Sequence, residues 1–111
     1  MNTTLSSPSS SKAQTVLITG ATSGIGAALA KTFSEKGSNL VLVARTESDL
    51  IASANQLTAK YKNQVHTIAL NLTDESAAEA LKAELTKRGI TVDVLVNNAG
   101  FGLYGAFKEI S

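Results

Sequence analysis

The hydrophobic residues of this chain follow two patterns that take turns. Short continuous apolar runs, "TVLITG" from Thr15, "NLVLVAR" from Asn39, "VHTIAL" from Val65 and "VDVLVNN" from Val92, are rich in Val, Ile and Leu and show no in/out alternation. Strands covered on both faces read this way. Between the first two runs, Ile25, Ala28, Leu29, Thr32 and Phe33 recur at helical spacing and Gly37 follows as a C-terminal cap. Between the second and third, Thr46 and Asp49 suit a capping box, and Leu50, Ala54, Leu57 and Tyr61 share one helical stripe. A third helix is expected to start near Asp74, to bury Ala77, Ala78, Leu81 and Leu85, to carry Lys87 and Arg88 in its last turn, and to stop at Gly89.

Strand and helix in regular alternation predict an α/β domain with a parallel sheet and right-handed crossovers. The strand order 3-2-1-4 of a dinucleotide-binding fold fits the pattern, and a flavodoxin-like order is compatible with it. His66, on the third strand, reads as a packed or half-exposed strand residue with no partner nearby in sequence, and is assigned no role.

The turn that closes the first strand, "TGATSGIG" from Thr19 to Gly26, holds three glycines, two of them in the opening turn of a helix. Glycine there costs up to about 1 kcal/mol relative to alanine, so these residues serve something other than helix stability. Gly20 can make the tight turn, Gly24 lets the backbone approach a diphosphate, and Gly26 lets the helix pack closely. The helix N-terminus offers unpaired N–H groups to an anion, and Thr22 and Ser23 add hydroxyl donors. The plainer alternative is a tightly packed turn with no ligand. A P-loop is excluded by the missing Gly-Lys-Ser/Thr ending.

"TGATSGIG" is also the unbroken cofactor signature Thr-Gly-x-x-x-Gly-Ile-Gly of the short-chain dehydrogenases/reductases, and "NNAG", Asn97 to Gly100, is their second signature. On these two motifs the chain resembles that family from Thr15 to Ser111. The resemblance implies a Rossmann-type doubly wound sheet, here residues 15–111 of a partial NAD(P)-binding domain truncated after the fourth strand. It further implies that Gly20, Ser23, Gly24, Ile25 and Gly26 line the diphosphate and its ribose. Asn97 would brace the central sheet, and Ala99 and Gly100 would pass beside the adenosine ribose. In "NLTD" the family usually has Asp where this chain has Asn71; that residue bonds the adenine amine, and Asn can accept the same bond through its carbonyl oxygen. Leu72 would lie against the ring.

In NAD-binding members an acidic residue at the end of the second strand holds the ribose hydroxyls. Here that strand ends in Ala44 and Arg45. Arg45 can pair with the 2′-phosphate of NADP through charge-assisted hydrogen bonds, with Thr46 placed to add one more. The expected cofactor is therefore NADP rather than NAD, the alternative being a solvated Arg near a helix start. Many NADP-binding relatives carry a second basic residue where this chain has Ser23, which implies a moderate preference.

Tyr104 and Lys108 stand four positions apart, the spacing of the family's catalytic Tyr-x-x-x-Lys. In the family that pair lies far downstream of Asn-Asn-Ala-Gly, after a fifth strand, whereas Tyr104 follows Gly100 almost at once. Gly105 between them also argues against a rigid helical turn. "FGLYGAFKEIS" is read instead as the loop after the fourth strand, and no catalytic residue is assigned. The resemblance implies an oxidoreductase that moves hydride between NADPH and a carbonyl or alcohol substrate, with this chain as a cofactor-binding fragment lacking the catalytic Ser, Tyr and Lys. The parent is expected to be a homo-oligomer. The alternatives are a non-catalytic NADP-binding module and a truncated product without function.

Composition narrows the picture further. The chain has 111 residues, 43% of them hydrophobic and 17% charged, with ten basic against nine acidic side chains. A domain of this size buries about two-thirds of the surface its unfolded chain exposes. The even charge balance points to no nucleic-acid or anionic-membrane partner. The lack of cysteine removes disulfides, thiolate metal sites and a cysteine nucleophile, no metal site is assigned, and a cytoplasmic setting is expected. Residues 1–14, "MNTTLSSPSSSKAQ", are rich in Ser and Thr without an apolar run, and are read as a disordered leader, with a transit peptide disfavoured by the absence of Arg.

Overall fold

The computed structural model describes residues 13–99. The leader up to residue 12, Gly100, and the segment holding Tyr104 and Lys108 lie outside the described residues. In chain order the elements are β1 (Thr15–Thr19), α1 (Gly24–Glu35), β2 (Asn39–Ala44), α2 (Glu47–Tyr61), β3 (Val65–Ala69), α3 (Ala77–Arg88) and β4 (Val94–Asn97). All strand pairs are parallel and the sheet order is β3-β2-β1-β4. The 3-2-1-4 order is thus found, and the flavodoxin-like alternative is set aside.

Alternate residues of each strand feed opposite faces of the sheet. Val16, Ile18, Leu40 and Leu42 pack with Ala30 of α1 and with Leu50 and Leu57 of α2. Leu17, Val41, Val43 and Ile68 pack on the other face with Ala77, Leu81 and Leu85 of α3. Two helices cover one side and one helix covers the other. The expectation of strands buried on both faces holds for β1 and β2. β4 is half-buried throughout and β3 fully buries Ile68 alone, because both sit at the edges of the four-stranded sheet.

Three local expectations are corrected. The buried face of α1 is Gly26, Ala30 and Ser34, flanked by half-buried Leu29 and Phe33, while Ile25 is 68% exposed and Ala28 and Thr32 point outward. The helix approaches the sheet through its smallest residue. A Cβ built on Gly26 would run into the carbonyl oxygen of Gly20 and come within 3.0 Å of Ala21 Cα, so the contact face is set by Gly26 and not by the largest apolar side chains. Thr46 does cap α2 by position, but its side chain makes no cap hydrogen bond, so the capping box is not formed.

α3 begins three residues later than expected, at Ala77. The Asp74 carboxylate accepts from the Ser76 backbone N–H at 3.0 Å and from its hydroxyl at 2.9 Å, closing a local turn that holds the chain out of helix. The same two bonds, the backbone one first, hold the Asp74 carboxyl below the usual carboxylate range. At the other end Gly89 takes the left-handed conformation, φ 69°, and its N–H closes on Leu85 and Thr86 carbonyls, as the sequence predicts.

Candidate functional site

A parallel sheet puts the carboxyl ends of all its strands on one edge, and the loops that leave them are brought together there. Thr19 pairs with Val43 on one side and Asn97 on the other, so the glycine turn after β1, Arg45 after β2 and Asn98 after β4 are neighbours by register. Leu70 joins them, its N–H bonded to the Ala44 carbonyl at 2.8 Å.

Gly20 has φ 63°, and a Cβ there would lie 3.0 Å from Asn98 Nδ2 and 3.4 Å from Ala99 N. Both the backbone conformation and the space favour glycine. Ser23 follows as the N-cap of α1. Its Oγ donates to the Gly20 carbonyl at 2.8 Å and accepts from Gly26 N–H and Asn98 Nδ2, each at 3.0 Å. A hydroxyl has one proton and two lone pairs, so all three are used within the protein. The Ser23 hydroxyl thus helps to build the turn.

The "NNAG" segment is tied to the same turn. Asn98 Nδ2 also donates to the Gly20 carbonyl at 3.2 Å, Thr19 Oγ1 donates to Asn97 Oδ1 at 2.9 Å, and Ala99 N–H returns to Thr19 Oγ1 at 3.1 Å. Asn97 therefore engages the end of strand β1. Of the first amides of α1, that of Gly26 is capped by Ser23, and those of Gly24 and Ile25 have no intrahelical acceptor. Nothing lies within 4 Å of a Cβ built on Gly24. That residue faces open space, as a position needs if a ligand is to approach the backbone.

Beside the turn is a pocket of about 440 Å³. It brings together Gly20, Thr22 and Ser23 from the glycine turn, Arg45 from the end of β2, Asn71 and Leu72 from the β3–α3 loop, and Ala99. Gly24, Ile25, Gly26 and Asn97 do not line it, and Gly100 lies outside the described residues. Arg45 is the sole charged residue among the described residues of its wall. It is exposed and forms no ion pair or hydrogen bond with the other described residues.

Asn71 lines the pocket wall, and its Oδ1 accepts from the Thr73 N–H at 3.1 Å and from the Thr73 hydroxyl at 2.6 Å, closing an Asx turn.

Sequence reasoning had no specific part for Thr19 or Thr73. Thr19 belongs to the signature "TGATSGIG" itself and could have been read as a polar group at a strand end. Thr73 carries a recognisable signal, an Asn followed two residues later by Thr, which is the spacing of an Asx turn. A second cavity, about 510 Å³, lies at the opposite edge of the sheet between His66, Arg88 and Asp93. Half-buried His66 makes no described hydrogen bond there, and Arg88 is occupied by Glu84 at 2.7 Å and the Thr67 carbonyl at 3.0 Å. Among the described residues no cluster of side chains suits a metal ion, and no helix is long and apolar enough to cross a membrane.

Residues 14–111 match the family model described as short chain dehydrogenase. Sulfoacetaldehyde reductase 2 of Chromohalobacter salexigens is 43% identical over 88 residues, which cover 79% of this chain and 34% of that protein. The very-long-chain 3-oxoacyl-CoA reductase of Meyerozyma guilliermondii is 43% identical over 91 residues, 80% of this chain and 26% of the relative. Among solved structures, L-sorbose reductase from Gluconobacter frateurii, complexed with NADPH and L-sorbose, superposes with a TM-score of 0.75 at 34% identity over 82% of this chain and 35% of its own. A short-chain dehydrogenase from Sphingobium yanoikuyae in complex with NADPH gives a TM-score of 0.70 at 40% identity, covering 78% of this chain and 34% of that one. The chain thus spans about a third or less of the length of these relatives.

Proposed function

Because the chain belongs to the short-chain dehydrogenase family, an oxidoreductase family, we propose that it forms the cofactor-binding part of an NADP-dependent oxidoreductase. One observation carries the preference for NADP. The pocket that joins the glycine turn to the end of β2 has a single charged residue on its described wall, the cation Arg45, which pairs with no other described residue, and no carboxylate there to repel a phosphate. Arg45 would pair with the 2′-phosphate through charge-assisted hydrogen bonds, with the hydroxyl of Thr46 beside it. The diphosphate would lie over Gly24, where a side chain is missing and the first amides of α1, those of Gly24 and Ile25, have no intrahelical acceptor. Leu72, Leu70 and Ala99 supply apolar wall for the adenosine end.

When bound, the dinucleotide supplies or takes up the hydride that interconverts a carbonyl and an alcohol. A carbonyl substrate is supported by the names of the relatives, reductases of sulfoacetaldehyde, 3-oxoacyl-CoA and L-sorbose. The proton transfers of the reaction are assigned to none of the described residues, whose roles are to hold and orient the cofactor.

The test is calorimetric titration of the intact protein with NADPH and NADH. NADPH is expected to bind at least about tenfold more tightly, which is 1.4 kcal/mol. Equal affinities would overturn the NADP preference, and no binding of either would overturn the cofactor reading as a whole.

A further inference from the structure

We propose that the outer edge of β3 is a strand-docking surface that fits the β3 of a second copy of this chain, and that Arg88 holds it closed. The inference does not depend on the cofactor reading.

β3 is an end strand of the described sheet, with β2 as its one neighbour. Leu40 N–H bonds the Gln64 carbonyl at 2.9 Å and Leu70 N–H bonds the Ala44 carbonyl at 2.8 Å, so Gln64 and the residues in step with it turn their backbone groups toward β2. Backbone groups change side from one residue to the next, which leaves the N–H and C=O of Val65, Thr67 and Ala69 facing outward. Such a row is a template for another strand. β3 itself does little to spoil it: "VHTIA" contains no Lys, Arg, Asp, Glu or Pro, and Val, Thr and Ile all favour strands.

The protection comes from α3. Arg88, in the last turn of that helix, donates from Nη1 to the Thr67 carbonyl at 3.0 Å, the middle acceptor of the outward row. Its Nε donates to Glu84 Oε2 at 2.7 Å, one turn back. An exposed pair at this spacing is worth about 0.5 kcal/mol or less, so its main effect is positional: two anchors hold the planar guanidinium across the strand edge. An incoming strand has to displace it. A second copy is the occupant that matches the edge, because antiparallel pairing about a two-fold axis lets the same three residues satisfy one another on both sides. That axis also brings the two Arg88 side chains to one seam, where like charges oppose the pairing. Arg88 therefore closes the edge twice, by occupying its central carbonyl and by its charge.

The experiment follows the fluorescence anisotropy of a labelled peptide with the sequence of residues 64–70, "QVHTIAL", titrated with the intact protein. Arg88→Ala is expected to bind it at least about tenfold more tightly than wild type, and Glu84→Ala, which removes one anchor, at least about threefold more tightly. Equal binding by wild type and a folded variant overturns the proposal. If Arg88→Ala does not fold, Glu84→Ala decides alone. Ser23→Ala, which weakens the turn after β1 and leaves β3 untouched, is the control: binding as tight as that of Arg88→Ala would trace the effect to loosened structure and overturn the guard. Sedimentation of Arg88→Ala is expected to show a species of twice the wild-type mass, and peptide binding without that species would overturn the second copy as the occupant.

Discussion

Asn98 Nδ2 donates to Ser23 Oγ at 3.0 Å, joining residues 75 apart in sequence. One belongs to the turn after β1 and the other to the turn after β4, so the two signature segments of the chain are parts of a single hydrogen-bonded unit. Ser23 caps α1, and Asn98 reaches both Ser23 and the Gly20 carbonyl. The shape of the glycine turn therefore depends on the turn after β4, the strand that pairs with β1.

Removing either partner should loosen this unit. Ser23→Ala deprives Gly26 N–H and Asn98 Nδ2 of an acceptor, and is expected to lower stability by about 1–2 kcal/mol, the usual loss for a cap. Asn98→Ala should act on the same contacts, so the double variant is expected to lose less than the sum, with a coupling of about 0.5 kcal/mol or more. Chemical denaturation of the four proteins measures it, and strict additivity would show that the bond contributes nothing.

The two glycines of the first turn of α1 should respond in opposite ways. Gly26→Ala forces its Cβ against the Gly20 carbonyl and is expected to destabilise the fold by about 1–3 kcal/mol. A Cβ at Gly24 meets nothing within 4 Å, so Gly24→Val should cost less than about 1 kcal/mol of stability while dinucleotide binding is lost. Thermal melts with and without NADPH separate the two. Undiminished binding in Gly24→Val would remove the diphosphate from that position.

Arg45→Asp should exchange the cofactor preference. NADPH binding is expected to weaken by about 1.5–3 kcal/mol, the loss of charge-assisted bonds, with NADH binding held or improved. Equal losses for both cofactors would make Arg45 a structural residue.

Tyr104 lies outside the described residues, and its prediction rests on sequence. Tyr104→Phe in the intact protein is expected to leave kcat within about tenfold, since a general acid is worth about a hundredfold or more. A fall of about a thousandfold with NADPH binding intact would make Tyr104 the proton donor.

Much of this protein was determined by local sequence. The unbroken Val, Ile and Leu runs of β1 and β2 needed burial on both faces, and the structure gives it with Val16 and Leu17, or Leu40 and Val41, feeding opposite cores. Gly20 and Gly26 announced a tight turn and a close helix because no other residue type fits those places, and the structure shows the atoms that would clash. Leu50, Ala54 and Leu57 bury as their spacing requires, since α2 has one apolar stripe and one polar face.

Tertiary structure decided what spacing could not. Which face of α1 is inward depended on the closeness of its approach at Gly26, a distance set by the turn below it, and so Ile25 lies outside despite its hydrophobicity. The partners of the Ser23 hydroxyl and the Asn71 carbonyl were also out of its reach, because a sequence counts donors and acceptors without saying what they meet. Folding joined the first to Gly20, Gly26 and Asn98 and the second to Thr73. A polar atom at a loop has several partners within reach of the chain, and only the fixed positions of the backbone around it select among them.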